Sequence, residues 1–403
     1  MTTPFDPRLI QDSLAFDPRL IQESFALVEG EADKLASHFY ALLFLEDPAL
    51  RDLFPPMMDA HRDRLITALI TLVHRAHDAE ALNEYVRQLG RDHRRFGVRP
   101  DHYTAVGRCL LSTLRRFAGP RWTGEMDGCW AAAFQQVAGI MVEAAREAAL
   151  TCPPWWTARV VGHVRPTGST AVVTVEPDSP YPFKSGQYAS VETLRWPRVW
   201  RPYSIANAPA ADGLLALHVR AIDAGWVSSA LVHHTRVGDT VRLGPPVGSM
   251  VCDPRSQRDV LLVGGGTGLA PMLALAEELS RWNDHRRLHL YFGVRRIEDL
   301  YGLDRLAAMV HRDPWLRVVP CVSDDRRFRG ERGVLADVLA RQAVEHDRWT
   351  RHDVYLAGSG PMVAATAGRL IDLGVDERRI RFDSFDQQTE VMLDVRRLAL
   401  ARG

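Results

Sequence analysis

The chain of 403 residues has almost no lysine: among its 50 basic residues only Lys34 and Lys184 are of that type, a bias that points to codon usage rather than to mechanism. Basic and acidic residues balance at 50 each, so no net field is available to hold a phosphate backbone, and nucleic-acid binding is set aside. Cysteine is scarce as well. Cys109, Cys129, Cys152, Cys252 and Cys321 are odd in number and scattered, with no CxxC pair. This argues against a disulfide framework or a thiolate zinc site and suits reduced thiols. No apolar run approaches the ~20 residues of a membrane span. The opening MTTPFDPRLI lacks the basic-then-apolar order of a signal peptide. A cytoplasmic, monomeric protein acting on small molecules is expected.

What is present is an ordinary globular composition, 46% apolar and 25% charged, in a chain long enough for about two to four domains. FDPRLIQDS (5–13) recurs as FDPRLIQES (16–24), too few copies for a solenoid and readable as a duplication that extends a first helix. Asp17-Pro18 suits a helix start. Residues 18–150 read as about six or seven helices, with Leu65, Leu69, Leu72 and Val73 forming one stripe at helical spacing. Pro153-Pro154 stops the last helix. Short β-branched segments then alternate with turns (RVVGHV, TAVVTVEP, QYASVET, YSIAN, LLALHVRAI), the pattern of a small antiparallel barrel. From Arg258 onward, strands such as DVLLVGGG and DVYLAGSG alternate with helices, the grammar of a parallel α/β sheet. The fold class is thus all-α, then antiparallel β-barrel, then parallel-sheet α/β. Its expected divisions are 1–150, a linker at 151–156, 157–255 and 256–403.

Four motifs in the later two-thirds carry chemistry. LLVGGGTGLAP (261–271) places Gly264, Gly265, Gly266, Thr267 and Gly268 between a buried strand and a helix that contains Pro271, where main-chain N–H groups and a helix N-terminus favour a pyrophosphate. RPYSIAN (201–207), GWVSSAL (225–231) and YLAGSGPM (355–362) are the others, followed by FDSF (382–385). Each alone has a plain packing explanation. In this order they resemble the ferredoxin–NADP reductase superfamily over about residues 157–390. That resemblance implies an FAD site in which Arg201 neutralises the pyrophosphate, Tyr203 lies against the isoalloxazine and Ser204 bonds near its reactive nitrogen, with Tyr188 and Pro202 beside them. Gly225, Val227 and Ser228 would cradle the pyrophosphate. Residues 264–271, with Gly358 and Pro361, would hold NADH or NADPH, and Phe385 would cover the second flavin face. The family often has Cys where Ala357 stands here. FGVRRIEDLY (292–301) looks like NADH-type members, while Arg295 and Arg296 would also suit a 2′-phosphate.

The helical third carries His38, His61, His74, His77, His93 and His102, without HExxH or a thiolate partner. HFYALLFLEDPALRDLF (38–54) and GRDHRRFGVRPDHY (90–103) resemble the globin of bacterial flavohaemoglobins, in which a globin precedes this same reductase module. The resemblance implies haem b with His93 as axial iron ligand and Tyr103 hydrogen-bonded behind it. Tyr40 and His61 would stand over the open coordination position, and Phe54 and Leu65 in the apolar wall. His61 occupies a position that is Gln in many members. Ala145 stands where members place a carboxylate, and Glu143 and Glu147, two residues away, are rotated by about 200° around the helix. The implied activity is nitric oxide dioxygenation, electrons passing from NAD(P)H through FAD to haem, with O2 and nitric oxide as substrates. Two alternatives remain: a flavohaem reductase or oxidase using haem as a relay, since RPYSIAN and FGVRRIEDLY look like oxygenase-reductase segments, and a haem-based O2 carrier or sensor.

Overall fold

The computed structural model describes residues 15–283, 285–343 and 349–384. The first copy of the repeat and Phe385 lie outside them. The chain divides into two compact units, Met1–Pro154 and Trp155–Gly403.

The first unit is helical: α1 (Pro18–Ala26), α2 (Ala32–Glu46), α3 (Asp59–Arg75), α4 (Ala79–His93), α5 (His102–Ala118) and α6 (Gly124–Ala149). The second copy of the repeat supplies the start of α1, where the Asp17 carboxylate accepts the Arg19 N–H and Pro18 fills the first turn. Asp78 and Thr123 cap α4 and α6 in the same way. Two glycines let helices approach closely. A Cβ on Gly90 in α4 would lie 2.4 Å from the Met141 carbonyl oxygen in α6, and one on Gly107 in α5 would lie 2.5 Å from the Phe134 ring. The core joins Leu35, Phe39, Leu43, Leu69, Val73, Leu114 and Trp130, and the Trp130 indole donates to the Ser24 hydroxyl at 2.8 Å.

The second unit opens with β1 (Trp156–Val164), β2 (Thr170–Pro177), β3 (Tyr188–Thr193), β4 (Trp200–Ser204), β5 (Leu215–Arg220) and β6 (Thr240–Leu243). They pair antiparallel in the order β4-β3-β6-β1-β2-β5. The edges meet through the Ile205–Leu217 bridge, which closes the barrel. The fourth strand is WRPYS rather than YSIAN: after Ser204 pairs with Tyr188, Ile205 turns the corner toward β5. A short helix, α7 (Trp226–Ser229), follows β5.

A parallel sheet comes next, in the order β10-β9-β8-β7-β11-β12. Its strands are β7 (Asp259–Gly265), β8 (Leu288–Val294), β9 (Leu316–Val322), β10 (Glu331–Arg332), β11 (His352–Gly358) and β12 (Ile380–Ser384). Its helices are α8 (Leu269–Leu279), α9 (Leu303–Arg312), α10 (Leu335–Gln342) and α11 (Gly360–Asp372). One apolar cluster packs α8 and α9 against one face, and a second packs α10 and α11 against the other, so the strands are apolar throughout. The chain runs outward from β7 to β10 and returns to place β11 beside β7. That reversal opens a crevice at the C-terminal ends of β7 and β11, where such sheets bind ligands.

Candidate functional site

In the second unit a cleft of about 680 Å³ lies at this crevice, within the size range of small-molecule sites. The barrel contributes Tyr188, Arg201, Pro202, Tyr203 and Ser204, the α7 turn contributes Gly225, Val227 and Ser228, and the sheet contributes Gly265, Gly266, Thr267 and Pro361. Gly266 sits at φ +57° with nothing within 4 Å of an added Cβ, a conformation that favours glycine and leaves its main chain open to the cleft. Gly264 and Gly268 serve the turn instead: a Cβ on Gly264 would meet the Gly268 carbonyl at 2.8 Å, and one on Gly268 the Ala357 carbonyl at 2.1 Å. Pro271 is buried in α8, and Gly358, at φ +152°, backs onto the Met362 methyl. These four shape the crevice without lining it.

The Ser204 hydroxyl donates to the Asp383 carboxylate at 3.0 Å. Burial pushes the Asp383 carboxyl up to about 6, while the Ser204 bond pulls the other way. Motif reading singled out Phe385 in FDSF and missed Asp383 two residues earlier, although both belong to the same short segment. His218 was missed too: its Nδ1 accepts from the Tyr301 hydroxyl at 3.0 Å, and both border the cleft. Burial, with Arg305 nearby, lowers His218 to about 3, so it is neutral near pH 7. Burial holds the Tyr203 phenol well above its ordinary range, hence protonated. Arg201, Arg220 and Arg295 set positive charge around the cleft. A cationic, glycine-cradled cleft with a protonated phenol on one wall fits a flavin and a nicotinamide nucleotide, whose phosphates need N–H donors and cations. Of the two arginines after β8, Arg295 borders the cleft while Arg296 pairs with Glu298 at 3.3 Å.

In the first unit, rings from four places in the sequence converge. Tyr40 on α2 meets Phe54 edge-on at 5.5 Å between centroids, Phe54 meets His61 on α3 at 5.3 Å, and Phe96 lies between His61 and His93, at 6.3 and 6.4 Å. Leu65 packs one turn after His61. His93, the last residue of α4, donates from Nδ1 to the Leu89 carbonyl at 2.7 Å in the tautomer that leaves Nε2 with its lone pair. Burial lowers both imidazoles. His61 falls to about 4, helped by the charge of Arg64 and by the competing imidazole of His93, and His93 falls despite its carbonyl partner and Asp92. Tyr40 is only 7% exposed, yet its hydroxyl makes no hydrogen bond to another described residue.

A neutral imidazole oriented through Nδ1, in a cluster of converging rings with a second neutral imidazole and a phenol that has no partner among the described residues, fits haem iron held by one axial histidine. Tyr103 packs with Leu82, Val86 and Met141 rather than bonding behind His93, whose Nδ1 is taken by the Leu89 carbonyl, and burial raises its phenol to about 12. Glu143 is taken by Arg146 at 2.6 Å and Glu147 by Arg87. Neither carboxylate replaces the one absent at Ala145.

Comparison with known proteins divides the chain in the same sense. The globin family matches residues 37–141, the oxidoreductase FAD-binding domain residues 167–251, and the oxidoreductase NAD-binding domain residues 262–368. The flavohemoprotein of Bordetella pertussis is 29% identical over 389 residues, spanning 88% of this chain and 94% of that protein. The ferredoxin–NAD(P)(+) reductase component of the naphthalene 1,2-dioxygenase system of Pseudomonas putida is 31% identical over 227 residues, 56% of this chain and 67% of that protein. The crystal structure of flavohemoglobin from Malassezia yamatoensis, with bound FAD and heme, shares the fold with a TM-score of 0.74. It is 17% identical and covers 93% of this chain and 100% of its own. With a globin followed by FAD- and NAD-binding oxidoreductase domains in one chain, the protein has the domain organisation of the flavohemoproteins to which it is similar.

Proposed function

We propose that this chain is an NAD(P)H-dependent flavohaem oxidoreductase of the nitric oxide dioxygenase type, converting nitric oxide and O2 to nitrate. The reaction balances as 2 NO + 2 O2 + NAD(P)H giving 2 nitrate, NAD(P)+ and H+. When bound, FAD would take the hydride of NAD(P)H and release its electrons singly, and haem b would receive them and bring O2 and nitric oxide together. The residues supply position and protons. Arg201 and the main chain of residues 225–228 hold the flavin pyrophosphate, and Tyr203, with Tyr188 and Pro202 beside it, lies along the ring. Ser204, oriented by its bond to Asp383, faces the reactive edge of the flavin. Residues 265–267 and Pro361 receive the nicotinamide nucleotide in the same cleft. Phe385 is assigned to the second flavin face, outside the described residues.

In the helical unit His93 would offer Nε2 to the iron, Tyr40 and His61 would be the hydrogen-bond donors on the ligand side, and Phe54 and Leu65 would keep water out. The Tyr40 hydroxyl, on a residue only 7% exposed and without a hydrogen-bond partner among the described residues, carries this reading, because a donor placed to meet charge developing on a ligand has a role in oxygen chemistry and none in simple electron relay. The division into a globin over 1–150, an FAD barrel over 157–255 and a nucleotide domain over 256–403 belongs to the same proposal, as does a cytoplasmic setting, where NAD(P)H is made.

A second reading, a reductase that uses haem as a relay toward an external acceptor, is favoured by the 31% identity over 227 residues to the Pseudomonas putida reductase component. One variant separates the two. Tyr40→Phe is expected to slow nitric oxide consumption by roughly 10-fold or more, the effect of losing one donor at a developing charge, while NADH-driven dye reduction is unchanged. Undiminished nitric oxide consumption in Tyr40→Phe would reject the dioxygenase reading in favour of the relay.

A further inference from the structure

The motif RPYSIAN does not end at the cleft. After Ser204 its last residues form a joint that the functional reading leaves unused. Ile205 is buried and bridges to Leu217, and Asn207 pins the chain to β5. The Asn207 Oδ1 accepts the Ala216 N–H at 2.7 Å, and its Nδ2 donates to the Leu214 carbonyl at 2.9 Å. Two charged side chains from the helices of the parallel sheet grip this joint. Glu277 on α8 accepts the Ala208 N–H at 3.0 Å, Arg305 on α9 donates to the Ala206 carbonyl at 3.3 Å, and the two pair with each other. The bond between Tyr301 and His218 ties β5 to the same side of the sheet.

The Glu277 and Arg305 side chains are 25% and 36% exposed, and an ion pair so placed adds little stability by itself. What sets this pair apart is that each member also bonds main chain of the barrel. β4 carries Arg201 to Ser204 along the cleft wall and runs directly into the joint. α8 begins after the glycine turn, and Glu277 stands about 12 Å along it from Leu269. A strand on one side and a helix on the other are stiff arms that meet at residues 206–208. The separation of Ser204 from the glycine turn depends on that meeting point. Neither Glu277 nor Arg305 lines the cleft.

We propose that Glu277 and Arg305 are positioning residues for hydride transfer, holding the barrel wall and the glycine turn at the separation the reaction needs. The inference rests on the reading of this cleft as the place where NAD(P)H reduces FAD. In that reaction the hydride leaves NAD(P)H, which is oxidised, and together with one proton from solvent it reduces the flavin. Reacting atoms must come within about 3–3.5 Å, and a misplacement of about 1 Å costs roughly 100-fold in rate. Because the two residues act through the joint, their loss changes the rate of the step and not the binding of either nucleotide.

The test is anaerobic rapid mixing of the full-length, FAD- and haem-loaded chain with NADH or NADPH, whichever reduces the wild type faster, following flavin bleaching. Glu277→Ala is expected to slow bleaching at saturating nucleotide by roughly 10- to 100-fold. The nucleotide concentration for half-maximal rate and FAD retention on dialysis should not move, and the slowed phase should show a primary isotope effect when the transferred hydrogen is deuterium. Arg305→Ala should act in the same direction, and it decides the matter if Glu277→Ala fails to fold. Glu277→Gln, which keeps an acceptor for the Ala208 N–H, should retain most of the rate. An unchanged rate in the alanine variants overturns the proposal. So does a smaller bleaching amplitude at an unchanged rate, which would mark a merely structural tie, and so does a slowed phase without an isotope effect. A wild-type chain whose flavin neither nucleotide reduces rejects the underlying reading of the cleft itself.

Discussion

In the helical unit the candidate site is made of side chains brought together from residues 40, 54, 61, 93 and 96. In the second unit it is built largely from main chain, at glycine turns on adjacent strand ends and along one barrel strand. The difference follows from what each site holds. A phosphate is recognised by N–H groups that any glycine-rich turn after a strand can present. An iron is held by one imidazole, and the reactivity opposite depends on which rings and hydroxyls happen to face it. The main-chain site tolerates exchange of most side chains around it, whereas the side-chain site hinges on single atoms.

The largest expected effect breaks the comparison at its sharpest point. His93→Ala should abolish the Soret band of the purified chain while its flavin absorbance persists, because the proposed haem site offers iron a single Nε2; a retained Soret band would show that another group ligates iron. Arg201→Ala should do the reverse by degree. Haem content is expected to stay constant while FAD binds roughly 10- to 150-fold more weakly, the range for a lost hydrogen bond to a charged group, as read by flavin retention on dialysis. Equal loss of both cofactors in either variant would mean that the sites are not separable.

Gly90→Ala sharpens the comparison at the level of packing. Its Cβ would lie 2.4 Å from the Met141 carbonyl oxygen, where α4 and α6 are rigid backbone on both sides. A loss of about 1–3 kcal/mol is expected, visible as a lowered thermal transition of helical signal with the flavin-monitored transition unmoved.

The smallest effect concerns protons, and here the units respond in opposite senses. His61 is lowered to about 4, so the unfolded chain binds more protons between that value and its ordinary 6.5. The helical unit should lose stability as pH falls through this window, and His61→Gln should flatten that loss. Asp383 is raised from 3.8 to about 6, so the folded chain binds more protons between those values. Its contribution is present below about 4 and is lost as pH rises through about 6, and Asp383→Asn should remove that slope. Urea midpoints at pH 4.5, 5.5 and 7, followed by haem and flavin signals separately, check both signs.

Much of this is legible in the sequence. LLVGGGTGLAP, RPYSIAN and GWVSSAL are contiguous because a turn and a strand are contiguous, so their chemistry can be read along the chain. Tyr40, Phe54, His61 and His93 are legible only through resemblance, since nothing in the spacing of four isolated residues on three helices and a connecting loop says that they meet. Asp383 escaped notice because a single carboxylate in a strand carries no pattern; its place opposite Ser204 follows from β12 lying beside β11 at the crevice. His218 escaped for the same reason, reading as one more residue of LLALHVRAI.

The order of local elements therefore belongs to the sequence by itself: helix stripes of period 3.6, alternating barrel strands, buried parallel strands, and the glycines and prolines that punctuate them, all of which act over a few residues. The tertiary structure alone decided which of the glycines after β7 open onto the cleft and which pack against β11, that the Tyr40 hydroxyl meets no partner among the described residues, that burial raises Asp383, and that Trp196 lies on Trp226. Each of these depends on what approaches from distant parts of the chain. Desolvation, close contact and stacking are properties of neighbours in space, which no local pattern encodes.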